Sequence, residues 1–144
     1  MRALLDSSTL IALFDNDHAF NKRAMDWFVE NRRLGWATCP LTENAVLRVL
    51  TNPSYSNINR FSLVELRSLL SVNIQETDHQ FWPDDVSLLD DALIRPEYIL
   101  GPKQLTDIYL LAIAVKNRGR LVTFDEKISV SGVIGATDVN LFVI

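Results

Sequence analysis

Four carboxylates fall where a fold would gather them. Asp6, Glu43, Asp107 and Asp125 each lie just past a short apolar run or in the opening turn of a helical pattern. Two unit charges about 4 Å apart repel by about 4 kcal/mol at an effective dielectric near 20. Four converging carboxylates would therefore repel or take up protons unless a cation joined them. Acids with no His or Cys beside them suit a hard, oxygen-seeking ion, so Mg²⁺ or Mn²⁺ is expected there rather than zinc. Each acid also has an ordinary structural use, because helix first turns favour negative charge by about 0.3–1 kcal/mol and Asp is a common turn residue. The repetition of one placement four times along the chain is what points to a site.

The elements that must position these acids read as follows. Arg2-Ala3-Leu4-Leu5 is a buried strand that stops at Asp6-Ser7-Ser8, which are helix-start residues. A short helix over Thr9 to Phe14 follows, then a helix over Ala19 to Asn31 whose Phe20, Ala24, Trp27 and Phe28 form a stripe at helical spacing. Gly35 ends that unit. Trp36 to Cys39 is a second strand, and Pro40 precedes a helix over Leu41 to Leu50 that carries Glu43. Ser62-Leu63-Val64-Glu65 is a capping box for a helix burying Leu63, Leu66, Leu69 and Leu70. Gln80-Phe81-Trp82 is a candidate third strand, and a short helix is expected around Leu88 to Ile94. The clearest helix spans Thr106 to Arg118, with Thr106 as N-cap and Gly119 just past its end. Arg120 to Thr123 is the next strand, and Val139 to Ile144 a last one at the sheet edge.

Strands alternating with helices predict an α/β fold: a mostly parallel sheet flanked by helices on both faces. Such sheets take ligands at the carboxyl ends of their strands. Asp6, Glu43 and Asp125 then emerge at one edge, and Asp107 joins them if its helix begins there. Ser8 and Thr123 are placed to hold a carboxylate or a phosphate oxygen, and Asn44 to orient Glu43.

Composition sets bounds. The 144 residues suit one domain, 48% of them apolar, enough for a substantial core. A single cysteine, Cys39, allows no internal disulfide and fits a reducing, cytoplasmic setting. No secretory leader and no run of about 18 apolar residues is visible, so no membrane span is expected. The formal net charge of −4 argues against a nucleic-acid binder at first sight; with the four acids neutralised by metal the rest of the chain is near neutral. Lys103, Lys116, Arg118, Arg120 and Lys127 gather near the last two motifs, where they could meet a phosphate backbone. The histidines, His18 and His79, read as surface or satisfied residues.

The same residues carry a family resemblance. Leu4-Leu5-Asp6-Ser7-Ser8-Thr9-Leu10-Ile11-Ala12-Leu13, Thr42-Glu43-Asn44, Thr106-Asp107-Ile108-Tyr109-Leu110-Leu111-Ala112-Ile113-Ala114 and Leu121-Val122-Thr123-Phe124-Asp125, in that order, resemble a PIN-domain protein, most closely the VapC toxins of bacterial toxin–antitoxin pairs. The resemblance implies a PIN fold across residues 1–144. It implies Mg²⁺- or Mn²⁺-dependent endoribonuclease activity with Asp6, Glu43, Asp107 and Asp125 as the acidic quartet. It also implies a homodimer and a cognate VapB-like antitoxin whose tail occupies the acidic groove. One position departs: family members often carry Asn where this chain has Ser8. Asp6 and Asp107 are expected to be the main metal ligands, with Glu43 and Asp125 completing the shell or handling the attacking water. The alternatives are a PIN-fold nuclease outside a toxin–antitoxin pair and a PIN-like binding module without catalysis. A receiver-type phosphotransfer domain fits poorly, because Ser7 and Ser8 stand where adjacent acids would be needed.

Overall fold

The computed structural model describes residues 1–58 and 61–144. Five short strands, β1 (Ala3–Leu5), β2 (Trp36–Thr38), β3 (His79–Phe81), β4 (Arg120–Thr123) and β5 (Leu141–Val143), form one sheet in the order β3-β2-β1-β4-β5. Every pairing in it is parallel. The connections carry α1 (Ser7–Phe14) and α2 (Asn21–Asn31), α3 (Pro40–Leu50) and α4 (Leu63–Glu76), and α5 (Leu105–Lys116). The chain starts at β1, builds outward through β2 to β3, then returns to lay β4 on the other side of β1. The winding therefore reverses between β1 and β4, and the carboxyl ends of these two strands flank the crevice where parallel sheets bind ligands.

The two-residue period of a strand divides the core. Ala3 and Leu5 of β1, with Trp36 and Val122, face one layer built from Leu10, Leu13, Phe28, Val46, Leu66 and their neighbours on α1 to α4. Leu4, Ala37 and Leu121 face the other layer, where α5 supplies Leu110, Leu111, Ile113 and Ala114, and the loops add Trp82, Ile94, Ile128 and Val133. β1 and β2 are buried throughout, as strands covered on both faces must be. The edge strands β3 and β5 leave side chains exposed. Among the described residues no helix is long and apolar enough to cross a membrane.

Several local expectations need correction. Residues Leu88 to Ile94 form turns, not a helix. The Asp90 carboxylate accepts the N–H of Ala92 at 2.9 Å and closes an Asx turn. Ile94 then leaves as an isolated antiparallel bridge to Val133, and Pro96 bars helix from its predecessor. Helix α5 begins one residue early, at Leu105, behind a 3₁₀ turn over Pro102–Gln104, so Thr106 is inside the first turn and not the cap. At its other end the left-handed residue is Arg118, with φ of 55°, and Gly119 follows it. Helix α4 starts at the expected capping box, with Ser62 Oγ accepting from the Glu65 N–H at 3.1 Å. It buries Leu66 and Leu70 but leaves Leu63 and Leu69 exposed. The basic cluster is split: Lys116, Arg118 and Arg120 lie where α5 ends and β4 begins, at the amino edge of the sheet, while Lys103 and Lys127 lie at the carboxyl edge.

Candidate active site

The site begins where β1 runs out. Asp6 caps α1: its Oδ1 accepts the Thr9 N–H at 2.7 Å, and its own N–H donates to the Val122 carbonyl at 3.0 Å. The helix start thus needs an Asp-like side chain here, and the β1–β4 pairing fixes where that side chain sits. Two hydroxyls complete its setting. Ser8 Oγ donates to Asp6 at 2.9 Å, and Thr123 Oγ1, at the end of β4, donates to Asp6 Oδ2 at 2.6 Å. Asp6 is only 4% exposed, and each of its oxygens meets the hydrogen-bond donors that a buried polar group needs.

Thr123 serves two acids. Besides donating to Asp6, its oxygen accepts the backbone N–H of Asp125 at 3.0 Å, and Asp125 Oδ1 in turn accepts the Lys127 N–H at 2.8 Å. The turn after β4 is thereby folded so that Asp125 faces the β1 terminus. Asp107 arrives from the first turn of α5. Asp6, Asp107 and Asp125 line one cavity of about 290 Å³ with Ser7, Ser8, Thr106 and Leu110. Asp107 feels the other two: burial, then the negative charges of Asp6 and Asp125, push its carboxyl up to about 6.

Glu43 is placed differently. It lies in the first turn of α3, and its Oε1 accepts from Thr38 Oγ1 at 2.5 Å. It lines a neighbouring cavity of about 190 Å³ with Thr38, Leu10 and Arg67, not the aspartate cavity. Asn44 is exposed on the same helix; the hydroxyl on Glu43 is that of Thr38, a residue the sequence reading passed over. A Thr five residues ahead of an acid across a strand–helix turn is too common a pattern to have flagged it. Ser7 and Thr106, which also line the cavity, were likewise unmarked as site residues.

On the other side, a cleft of about 550 Å³ shares Asp125 with the aspartate cavity and is lined by Leu100, Lys103, Gln104 and Lys127. Gln104 ties its two walls together, accepting the Leu100 N–H at 3.1 Å and donating to the Lys127 carbonyl at 3.2 Å. Acids in the centre with cations to one side suit an anionic ligand held near a metal.

The donor set is all oxygen, which matches a hard divalent cation. Among the described residues no three His, Cys, Asp or Glu side chains form a ready-made ligand cluster. Ions such as Mg²⁺ are usually held by one or two carboxylates and keep several waters, so neighbouring acids around an open cavity fit such an ion.

A model of the PIN domain family matches residues 3–132 of the chain. The chain belongs to the PIN domain family. Its relatives within that family are VapC proteins. This PIN protein is 42% identical over 141 residues to ribonuclease VapC44 of Mycobacterium tuberculosis, covering 98% of each chain. It is 42% identical over 123 residues to ribonuclease VapC38 of the same species, covering 85% of this chain and 84% of that one. Among solved structures it resembles a chain of VapBC2 from Rickettsia felis, a complex bound to a DNA fragment from its promoter, with a TM-score of 0.52 over 88% of this chain and 90% of that one. At 12% identity that likeness concerns the PIN fold alone.

Proposed function

We propose that this PIN protein is a Mg²⁺- or Mn²⁺-dependent endoribonuclease and the toxin of a VapBC-like toxin–antitoxin pair. The observation that carries the reading is the convergence of Asp6, Asp107 and Asp125 on one cavity at the β1–β4 reversal, in a chain whose relatives are named ribonucleases. A bound divalent cation supplies positive charge to the scissile phosphate and lowers the pKa of water.

The chain's own residues do the rest. Asp6 is locked by Ser8, Thr9 and Thr123, so its charge stays in place. Asp107 brings a carboxylate whose proton is easily exchanged near neutrality. Asp125 completes the aspartate cavity and Glu43 extends the acidic surface from the neighbouring one, and one of them orients or deprotonates the attacking water. Lys103 and Lys127, beside Asp125, neutralise phosphates of the bound strand, which makes binding weaken with salt.

The partner follows from the other face. Leu63, Val64, Leu69 and Val72 of α4 are exposed, and a cavity of about 310 Å³ beside them is lined by Met25, Phe28, Val29, Phe61 and Leu69. An apolar segment of a VapB-like antitoxin would lie there, its tail reaching the acidic groove, and a homodimer is the expected assembly. The setting is the cytoplasm, consistent with Cys39 as a free, buried thiol.

The test is cleavage of single-stranded RNA by protein stripped of metal with a chelator. Activity should vanish on chelation, return with Mg²⁺ or Mn²⁺, and withstand competition by single-stranded DNA. Metal-independent cutting, or an equal rate on DNA, would refute the assignment.

A further inference from the structure

Thr38 closes β2 and is 1% exposed. Its hydroxyl touches two partners from distant parts of the chain: Glu43 Oε1 at 2.5 Å and His79 Nε2 at 2.9 Å. A threonine hydroxyl has one proton to give, and an ionised carboxylate can only accept. The proton therefore goes to Glu43, and the second contact must run the other way, with a His79 Nε2–H donating into the Thr38 oxygen. This polarity fixes the tautomer of His79, with Nε2 protonated and Nδ1 bare.

Resting on the reading of Glu43 as a metal-site acid, we propose that His79 and Thr38 are positioning residues: a one-way hydrogen-bond relay, His79 to Thr38 to Glu43, sets the rotamer of the acid from the edge strand β3.

The ring is braced for this work. His79 is paired with Trp36 across β2 and β3, and the two rings meet edge-on with centroids 4.6 Å apart. Trp36 is itself fully buried and pinned by its Nε1–H to Thr77 Oγ1 at 2.7 Å and by an edge contact with Phe28 at 5.3 Å. Burial pushes the imidazole down to about 4, so at pH 7 it is neutral and has a single N–H to donate. Glu43, by contrast, carries a long side chain in the first turn of α3 that loses rotamer freedom when fixed. The relay settles that choice before any ligand arrives. Hydrogen bonds of this kind, one layer behind a metal ligand, are typically worth 10–100-fold in affinity or activity.

Four variants test the relay. Thr38→Val keeps the shape and deletes the hydroxyl, and Thr38→Ser restores it. His79→Phe keeps a ring and deletes the donor, and His79→Gln returns an amide N–H at similar reach. Mn²⁺ affinity, read from the electron paramagnetic resonance of the free ion, should fall about 10-fold in Thr38→Val and His79→Phe. It should return to within about threefold of wild type in Thr38→Ser and His79→Gln. kcat should fall more than KM for RNA rises. In metal-free wild type, nitrogen NMR of His79 should show a protonated Nε2 and a bare Nδ1. A protonated Nδ1, or a folded Thr38→Val that binds Mn²⁺ like wild type, would overturn the relay. If wild type bound no Mn²⁺ and cut no RNA, the site reading would fail, while the tautomer would still decide whether the relay exists.

Discussion

Asp107→Asn should abolish RNA cleavage and at the same time make the metal-free protein more stable at pH 7. Both effects have one cause. Asp107 is held among like charges in a partly dry cavity, and burial together with Asp6 and Asp125 raises its carboxyl to about 6. A group whose pKa rises on folding adds stability that is fully present below its unfolded value, near 3.8, and is lost as pH climbs through about 6. At pH 7 the metal-free fold therefore bears the whole repulsion. Asn removes the charge and keeps the shape. At this half-buried position, screening by solvent leaves about 1 kcal/mol of the gain, a rise in Tm on the order of 3 °C for a chain of this size. Cleavage should fall on the order of 10³-fold, because the lost charge is one that a cation needs. Differential scanning calorimetry in chelator, run from pH 5 to 8 beside a cleavage assay, checks both halves. The stability gap should narrow as pH falls from 7 toward 5, while folded wild-type Asp107 takes up its proton, and would close fully only below about 3.8. A variant that cuts RNA at the wild-type rate, or melts lower at pH 7, contradicts the account.

The second large effect lies far from the acids. Gly119→Ala should cost about 3 kcal/mol, or about 10 °C in Tm, although Ala is ordinarily a milder residue. The Gly119 N–H closes the end of α5 on the Ala114 carbonyl at 2.8 Å. A methyl group there would stand 2.5 Å from Trp82 Cη2 and 2.7 Å from the Arg2 carbonyl oxygen. The indole is buried and cannot swing away. The carbonyl is backbone, and it accepts the Arg120 N–H at 3.0 Å where β1 and β4 begin to pair. Arg118→Gly, one residue earlier, should do the opposite: its φ of 55° suits glycine, so the change should be neutral or stabilising by up to about 1 kcal/mol. Chemical denaturation of the two variants beside wild type separates these outcomes. A neutral Gly119→Ala would contradict the tight approach of Trp82 and the Arg2 carbonyl to this position.

These two positions illustrate what the residues alone disclose. Asp6 and Asp125 were legible because each follows an apolar strand, and the parallel sheet then dictates that they share an edge. Asp107 was legible as a helix-start acid, and its helix does begin at that edge. Glu43 was expected at that edge for the same reason, yet it lines the neighbouring cavity and not that of the aspartates; its partner Thr38 was not anticipated, and His79 is brought to Thr38 only by the β2–β3 pairing. No local pattern links residues 41 positions apart. Gly119 was marked correctly as a helix-end glycine but for a different cause: crowding, not a left-handed turn. The expected helix over Leu88 to Ile94 failed because its apolar spacing was read without the Asx turn at Asp90 and the proline at position 96. The basic cluster looked unified in sequence, but α5 separates its members to opposite edges of the sheet.

The most direct test is to locate the metal. Crystals grown with Mn²⁺ and measured for anomalous scattering should show a peak in the cavity between Asp6, Asp107 and Asp125, with Ser8 and Thr123 still bonded to Asp6, and no such peak in Asp6→Asn. A strong peak elsewhere on the wild-type protein with that cavity empty, or an unchanged peak in Asp6→Asn, would contradict the assignment of these acids as a metal site.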